Sequence, residues 1–269
     1  MLGNPQEKSI ELSINSTLSP HTSFKPTLSP FNATFRLLGS TLGPFTTVMF
    51  PQTHVQKPLT VNITNQAVEI SNMQAWDEYI RVAVANETYS VIIEGQPDLK
   101  LGKLPTTNTR FNKTVRVPGL NNFAGVSTSN ITVDITTETN NFHALTTIPN
   151  PSTSRLDVGD ITFNTYVAPN QTFVGQSFLR DVVLSPGNNT YPIVASIAQQ
   201  PTIAALGVRP ACQTGMVEVT LMPVNVTRNG VDLQYLLQGM NNITQVLPLG
   251  DAISAATHGF AHYYCPPGV

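Results

Sequence analysis

The stretch MVEVTLMPVNV at residues 216–226 is the strongest indicator of the fold. Its first two valines and Leu221 fall on one face of an extended chain, whereas Glu218 and Thr220 fall on the other. Successive side chains of a β-strand point to opposite faces, so this alternation predicts a strand with one buried face.

Five other short runs are rich in β-branched and aromatic residues, as strands are. Turn residues separate them, since the chain contains 21 Pro and 17 Gly. The runs predicted to be strands are 61–64, 88–94, 131–137, 161–167 and 181–184. Many short strands between such turns predict an all-β fold of two tandem immunoglobulin-like antiparallel β-sandwiches.

One segment departs from this pattern and predicts a helix. Ser71 and Asn72 can cap its N-terminus. Its apolar positions form a single stripe: Met73, Trp76, Ile80, Ala83 and Val84. We expect this stripe to cover an open end or face of a sheet. A second, weaker helix is predicted at 231–240.

Two pairs of similar segments indicate an internal duplication. LKLGKL at 99–104 is similar to LDVGDI at 156–161, and VRVPGLNN at 115–122 is similar to VLSPGNN at 183–189. The Pro-Gly pairs are typical of turns that close hairpins. Hairpins of independent origin are the alternative explanation.

The duplication suggests how the chain is divided. We expect an N-terminal arm at 1–38, a first sandwich at 39–122, a second sandwich at 123–250 and a C-terminal tail at 251–269.

The composition limits the classes of function. Charged residues make up only 11% of the 269 residues and the net charge is -2, so the basic face that nucleic acids require is not expected. Hydrophobic residues make up 41%, which favours a folded core over disorder. Polar side chains and sugars would then keep the surface hydrated.

Ten Asn-x-Ser/Thr sequons are spread along the whole chain. They begin at Asn15, Asn32, Asn62, Asn86, Asn112, Asn130, Asn170, Asn188, Asn225 and Asn242. They predict a protein of the secretory pathway with N-linked glycans and with each sequon on the surface. The alternative is that a composition rich in Asn and Thr produces sequons by chance.

The two cysteines, Cys212 and Cys265, are expected to pair in an oxidising compartment, with two free thiols as the alternative. The bridge would contribute about 4 kcal/mol by the loop-entropy estimate and would tie the tail to the body.

The sequence contains no apolar run long enough for a membrane helix, and its N-terminus lacks the apolar core of a signal peptide. Because sequons require entry into the lumen, we expect a fragment from which a signal or membrane anchor is missing.

Six segments together resemble a known family over roughly residues 40–250. These segments are 99–104, 111–115, 119–123, 148–152, 156–163 and 184–191. They resemble a fungal family of secretory-pathway and membrane-anchored proteins of unknown function, whose domains are similar to the type-2 late-embryogenesis-abundant (LEA) β-sandwich. The resemblance implies tandem LEA-like domains in the vacuolar lumen or outside the cell, no catalytic residues, and kinship with domains proposed to bind or transfer lipids.

Residues suited to chemistry are sparse. His258 and His262 are four apart but lack an accompanying carboxylate, and Asp157 and Asp160 favour turn capping over paired-carboxylate catalysis. We expect no metal, no cofactor and no enzymatic activity. The aromatic residues are expected to form core and not a ligand platform: Trp76, Tyr79, Phe111, Phe163, Tyr166, Phe173 and Phe178.

Three hypotheses for the function follow. The first is a non-enzymatic glycosylated β-sandwich protein of the cell surface or vacuolar lumen with a structural or binding role. The second is a lipid-binding or lipid-transfer module with an apolar groove capped by the first helix. The third is a filament or coat subunit that self-associates when the arm 1–38 adds a strand to a neighbour.

Overall fold

The computed structural model describes residues 2–18, 25–55, 59–258 and 265. Among them, antiparallel β-sheets dominate and the helices are few and short, which confirms the mostly-β prediction. The chain forms two compact units, which we call unit 1 (Met1–Asn121 and Pro151–Asp157) and unit 2 (Asn122–Asn150 and Val158–Val269).

Unit 1 holds most of its residues in short strands and one helix. These elements are β1 (Leu2–Gly3), β2 (Ser9–Leu18), β3 (Thr27–Leu28), β4 (Phe31–Leu37), β5 (Thr46–Phe50), β6 (Thr53–His54), β7 (Leu59–Glu69), α1 (Met73–Ala85), β8 (Thr88–Gly95), β9 (Asp98–Lys100), β10 (Thr107–Asn108) and β11 (Phe111–Pro118). Strands β1, β2 and β7 are hydrogen-bonded neighbours in that order within an 11-stranded sheet, and we call this group sheet I. Strands β11, β8, β4 and β5 form a separate sheet in that order, which we call sheet II. A small sheet has the order β10, β9, β3, β6.

The described part of 1–38 is not a separate arm, contrary to the sequence-based prediction. Strand β2 pairs with β7 from Ser9 opposite Glu69 to Leu18 opposite Leu59. Strand β4 lies inside sheet II between β5 and β8. The physical reason is burial, since Ile10 in β2 and Phe35 in β4 are both at most 9% exposed.

Helix α1 lies where the sequence places it. The Asn72 side chain accepts a 3.2 Å hydrogen bond from the Ala75 amide and so caps the N-terminus. Its buried residues are Ala75, Trp76, Ile80 and Val84. The spacing of three and four residues produces one apolar face, as predicted.

Unit 2 is built around a larger sheet. Its elements are β12 (Ser127–Val133), β13 (Phe142–Asn150), β14 (Leu156–Val167, whose first two residues belong to unit 1), β15 (Thr172–Leu184), β16 (Gly187–Ile197), α2 (Gln199–Leu206), α3 (Ala211–Thr214), β17 (Val217–Arg228), β18 (Val231–Asp232), α4 (Gln234–Gly239), β19 (Ile243–Leu247) and α5 (Leu249–Ala256). The sheet has the order β12, β13, β16, β15, β14, β17, with β18 and β19 on β17.

Strand β17 has the alternation seen in its sequence, with Val217, Val219 and Leu221 buried and Glu218 exposed. Thr220 is also buried, and its hydroxyl lies 3.3 Å from the hydroxyl of Thr244 on β19.

The predicted tail at 251–269 does not begin as a separate segment. Residues 251–256 continue helix α5, where Ala252 and Ile253 are buried.

Most of the predicted strands are parts of longer strands in the structure, whereas two predicted elements end early or are divided. The strand expected at 131–137 ends at Val133, because the Asp134 carboxylate accepts hydrogen bonds from the Thr136 amide (2.8 Å) and hydroxyl (2.6 Å) and forms a turn. The helix expected at 231–240 is split into β18 and the shorter α4.

The two Pro-Gly pairs play different roles. Pro186-Gly187 connects β15 to β16, which are neighbours in the sheet, as predicted. Pro118-Gly119 closes no hairpin, because β11 pairs with the preceding strand β8. Gly119 instead lies against the end of α1, where an added Cβ would be 2.1 Å from the Asn86 carbonyl oxygen.

No helix within the described ranges has the length and apolar character that crossing a membrane requires.

Candidate functional site

Unit 1 contains a large apolar cavity with a volume of ≈ 570 Å³. Sheet I, sheet II, helix α1 and residues 152–156 all contribute to its lining. The largest buried side chains that line it are Phe35, Phe45, Phe50, Trp76 and Ile80. Its volume falls within the range of about 300–1,000 Å³ that is typical of small-molecule sites.

Unit 2 contains a much smaller void. It has a volume of ≈ 40 Å³ and lies among β-sheet side chains such as Val174, Ile193 and Leu221. A void of that size is ordinary for a packed protein interior.

Helix α1 forms one wall of the cavity. Trp76, Tyr79, Ile80, Ala83 and Val84 face the cavity from this helix. They recur at intervals of three and four residues, so they share one face of the helix. Four residues of the stripe predicted from the sequence therefore line the cavity, whereas Met73 does not and Tyr79 was not predicted to belong to the stripe.

Aromatic rings form much of the remaining wall. The Phe45 ring lies 4.6 Å from the Tyr79 ring and 5.5 Å from the Trp76 ring, measured between centroids. A second group joins Phe31 to Phe50 (5.3 Å) and to Phe111 (5.6 Å). These distances lie in the favourable range for aromatic pairs.

Gly95 makes the second aromatic group possible. It pairs with Phe111 across β8 and β11, and an added Cβ would lie 2.6 Å from the Phe31 ring. The absence of a side chain there leaves room for the Phe31 ring between the strands.

The loop after β11 closes the C-terminal end of α1. The amide of Leu120 donates to the Ala83 carbonyl (2.8 Å), and the amide of Asn121 donates to the Asn86 carbonyl (3.1 Å). The last carbonyls of a helix need such external donors. Gly119, which precedes these two residues, permits the close approach, so this loop fixes the position of the cavity wall.

Two tyrosine hydroxyls provide polar groups in this apolar lining. The Oη atoms of Tyr79 and Tyr89 lie 3.2 Å apart. Burial raises the pKa of both phenols, and the contact with Tyr79 further raises the pKa of Tyr89. Both side chains therefore stay neutral at physiological pH.

The cavity opens along a polar rim. The exposed residues among its lining are Asn15, Asn62, Thr64, Lys113, Thr153 and Arg155.

On another side of the cavity, sheets I and II approach each other, since Thr46 of β5 pairs with Ile70 just beyond β7. The Thr46 hydroxyl also donates a 2.6 Å hydrogen bond to the Glu69 carbonyl.

All ten sequon asparagines are exposed, as an acceptor for a glycan must be. They are Asn15, Asn32, Asn62, Asn86, Asn112, Asn130, Asn170, Asn188, Asn225 and Asn242. Five asparagines are buried or half-buried, and all of them lie outside sequons: Asn72, Asn141, Asn150, Asn164 and Asn189.

Cys212 and Cys265 form a disulfide, as the sequence predicts, with Cα atoms 4.9 Å apart. The bridge closes a loop with a sequence separation of 53 residues. Cys212 is buried at the start of the short helix α3.

The other residues considered for chemistry do not assemble into a site. The described residues contain no group of three or more His, Cys, Asp or Glu that could hold a metal ion, and His262 lies outside the described residues. Asp160 accepts from the Asp181 amide (2.9 Å) and pairs with Arg180 (3.0 Å). This fits a structural role in the sheet.

The expectation that the aromatic residues form core is correct only in part. Phe163 is buried at 2% exposure, but Phe173 is 52% exposed. Trp76, Tyr79 and Phe111 line the cavity of unit 1. Lys113 and Arg155 at the rim were not predicted, although a lysine between Phe111 and Val115 on one face of a strand was a visible signal of Lys113.

Residues 43–165 match the model of a family described as a protein of unknown function, DUF3712. No curated protein matches the chain. The matched segment includes α1, β8 and β11, which contribute to the cavity wall.

Proposed function

We propose that this chain is a non-enzymatic, N-glycosylated protein of the extracellular space or vacuolar lumen that binds a lipid in the cavity of unit 1. The cavity of ≈ 570 Å³ is the observation that supports lipid binding over the other hypotheses. In this proposal, sheets I and II are the two layers of an LEA-type sandwich that encloses the acyl chain.

The cost of unfilled apolar space supports the proposal. A void costs about 24 cal/mol for each Å³ that neither side chains nor solvent fill. Solvent can enter this cavity along its polar rim, so the cost applies to the inner, apolar part of the lining. A ligand that fills that part would remove the cost.

The chemistry of the lining favours an apolar ligand over water. A buried water molecule needs two to four polar partners. Apolar residues outnumber polar ones in the described lining, and its buried polar groups include Thr46 and Ser152 besides the half-buried Tyr79 and Tyr89 hydroxyls. A small apolar cavity of about 150 Å³ stays dry and binds benzene. A cavity almost four times larger suits an acyl chain.

The glycosylation and location in this proposal have their own support. The ten sequon asparagines are exposed, and the disulfide fits an oxidising compartment. The filament hypothesis is less well supported, because the described residues of 1–38 already pair within unit 1 and leave no free strand for a neighbour.

The chain contains one tryptophan, Trp76, and it lines the cavity. We would therefore titrate delipidated protein with long-chain acids brominated at mid-chain, which quench an indole on contact. Saturable quenching at one ligand per chain is expected. With unbrominated competitors, the affinity should rise about fourfold for each added methylene until the cavity is full.

Quenching that never saturates, or that is independent of chain length, would overturn the proposal. Urea-unfolded protein is the control for non-specific contact.

A further inference from the structure

The charges around the cavity have one sign. Among its described lining residues, the charged side chains are Lys113 and Arg155, and none is a carboxylate. The chain as a whole has 14 basic and 16 acidic residues. The excess of positive charge at the rim is therefore local and does not follow from the composition.

Lys113 lies on the cavity face of β11, an edge strand of sheet II. It alternates with Phe111 and Val115, which also line the cavity, and it pairs with Ile93 of β8. The side chain of Lys113 is exposed. A lysine here can lay its methylene stem along the apolar wall and place its ammonium group in water.

Arg155 reaches the same cavity from a different part of unit 1. Its carbonyl oxygen accepts a 2.8 Å hydrogen bond from the Leu2 amide, and the next residue, Leu156, pairs with Leu2. These backbone contacts hold the segment in place, while the Arg155 side chain remains exposed.

Neither rim cation has an ion-pair partner among the residues that the structure describes. By contrast, Arg36 and Arg110 both pair with Glu94, at 3.3 and 3.2 Å. Lys113 and Arg155 are thus free to contact a ligand, and guanidinium and ammonium groups both favour carboxylate or phosphate oxygens.

We infer that the ligand is a single-chain amphiphile with an anionic headgroup, whose acyl chain fills the cavity and whose headgroup is held at the rim by Lys113 and Arg155. This inference rests on the proposed lipid binding and adds the class and orientation of the ligand. A long-chain carboxylate and a lysophosphatidate share this chemistry.

The test compares three probes that have the same acyl chain: a fatty acid, a lysophosphatidic acid and the neutral monoacylglycerol. The affinity of each probe is measured from its displacement of the brominated acid, which relieves the quenching of Trp76 fluorescence. The variant is Lys113→Gln with Arg155→Gln. The charge-matched control is Lys100→Gln with Arg116→Gln, since both residues are exposed and neither lines the cavity. Thermal unfolding of each variant checks that the fold is kept.

We expect the rim variant to weaken binding of the anionic probes by about 2- to 25-fold, since each exposed cation contributes about 1.5- to 5-fold. The neutral probe should bind the variant and the wild type equally. Added salt should weaken binding of the anionic probes only. A larger loss for the lysophosphatidic acid than for the fatty acid would identify phosphate as the preferred headgroup.

Two negative outcomes have different meanings. If all three probes bind the wild type equally and the rim variant changes none of them, the headgroup inference is wrong and lipid binding stands. If neither the brominated acid nor any of the three probes binds the wild type, the proposed function itself fails.

Discussion

The Oη atom of Tyr79 on α1 lies 3.2 Å from the Oη atom of Tyr89 on β8, which joins the helix to sheet II in the cavity wall. The Tyr79 ring also packs on Phe45. Because burial raises the pKa of both phenols, this pair makes the stability of the protein sensitive to alkaline pH.

The first prediction concerns this pair. Above the ordinary phenol pKa of 10.0, the unfolded chain loses protons that folded Tyr79 and Tyr89 retain. The free energy of unfolding is therefore unaffected by these two groups below pH 10 and falls as the pH rises beyond it. Each phenol should contribute a slope of about 1.4 kcal/mol per pH unit.

Urea denaturation of the wild type and of Tyr79→Phe with Tyr89→Phe, at several pH values on both sides of the phenol pKa, measures this slope. The double variant should lose less stability above pH 10. Identical pH profiles would show that the two phenols titrate normally in the folded protein.

The second prediction concerns Gly119. Replacing it with Ala would place a Cβ 2.1 Å from the Asn86 carbonyl oxygen and 2.6 Å from the Ala83 carbonyl oxygen. Backbone atoms cannot move aside easily, so we expect a loss of about 1–3 kcal/mol in the free energy of unfolding. Gly3→Ala is the matched control, because its nearest contact is 4.0 Å away. Equal stability of the two variants would contradict the described closure of α1.

The third prediction concerns the sequons. Exposed asparagines are accessible to the glycosylation machinery, so each Asn→Gln substitution at an occupied sequon should remove one glycan from the intact mass of protein secreted by a eukaryotic host. Asn108→Gln is the control, since Asn108 is exposed but lies outside a sequon. A secreted protein whose mass is unchanged by endoglycosidase would refute the glycoprotein part of the proposal.

The fourth prediction concerns the disulfide between Cys212 and Cys265. The double variant with both cysteines replaced by Ser should be less stable by about 2–4 kcal/mol, because the unfolded chain regains the freedom of a long loop. Reducing agent should lower the unfolding midpoint of the wild type and leave the double variant unchanged. A wild-type midpoint that does not respond to reduction would oppose this account.

Local patterns in the sequence were sufficient to predict individual elements. Helix α1 could be predicted because Asn72 caps it and its apolar residues repeat with helical spacing. Strand β17 could be predicted from its alternation. The end of β12 could not, because it depends on how the Asp134 side chain competes with the strand for backbone hydrogen bonds.

The cavity could not be predicted from sequence. Its walls combine residues as distant as Leu12, Trp76, Phe111 and Leu156, and a void is the space that these side chains fail to fill. The sequence indicated that the stripe of α1 would cover part of a sheet. It gave no measure of the volume beneath that stripe, and so left lipid binding as one hypothesis among three.

The most direct test of the central claim is mass spectrometry of an organic extract from the protein, purified without detergent from a secreting eukaryotic host. The comparison variants are Ala83→Phe, which adds a ring on the cavity face of α1, and Gln74→Phe, which adds the same ring at an exposed position of that helix. The account predicts about one lipid per chain in the wild type and in Gln74→Phe, and much less in Ala83→Phe. A lipid-free wild-type extract, or equal lipid in all three proteins, would contradict it.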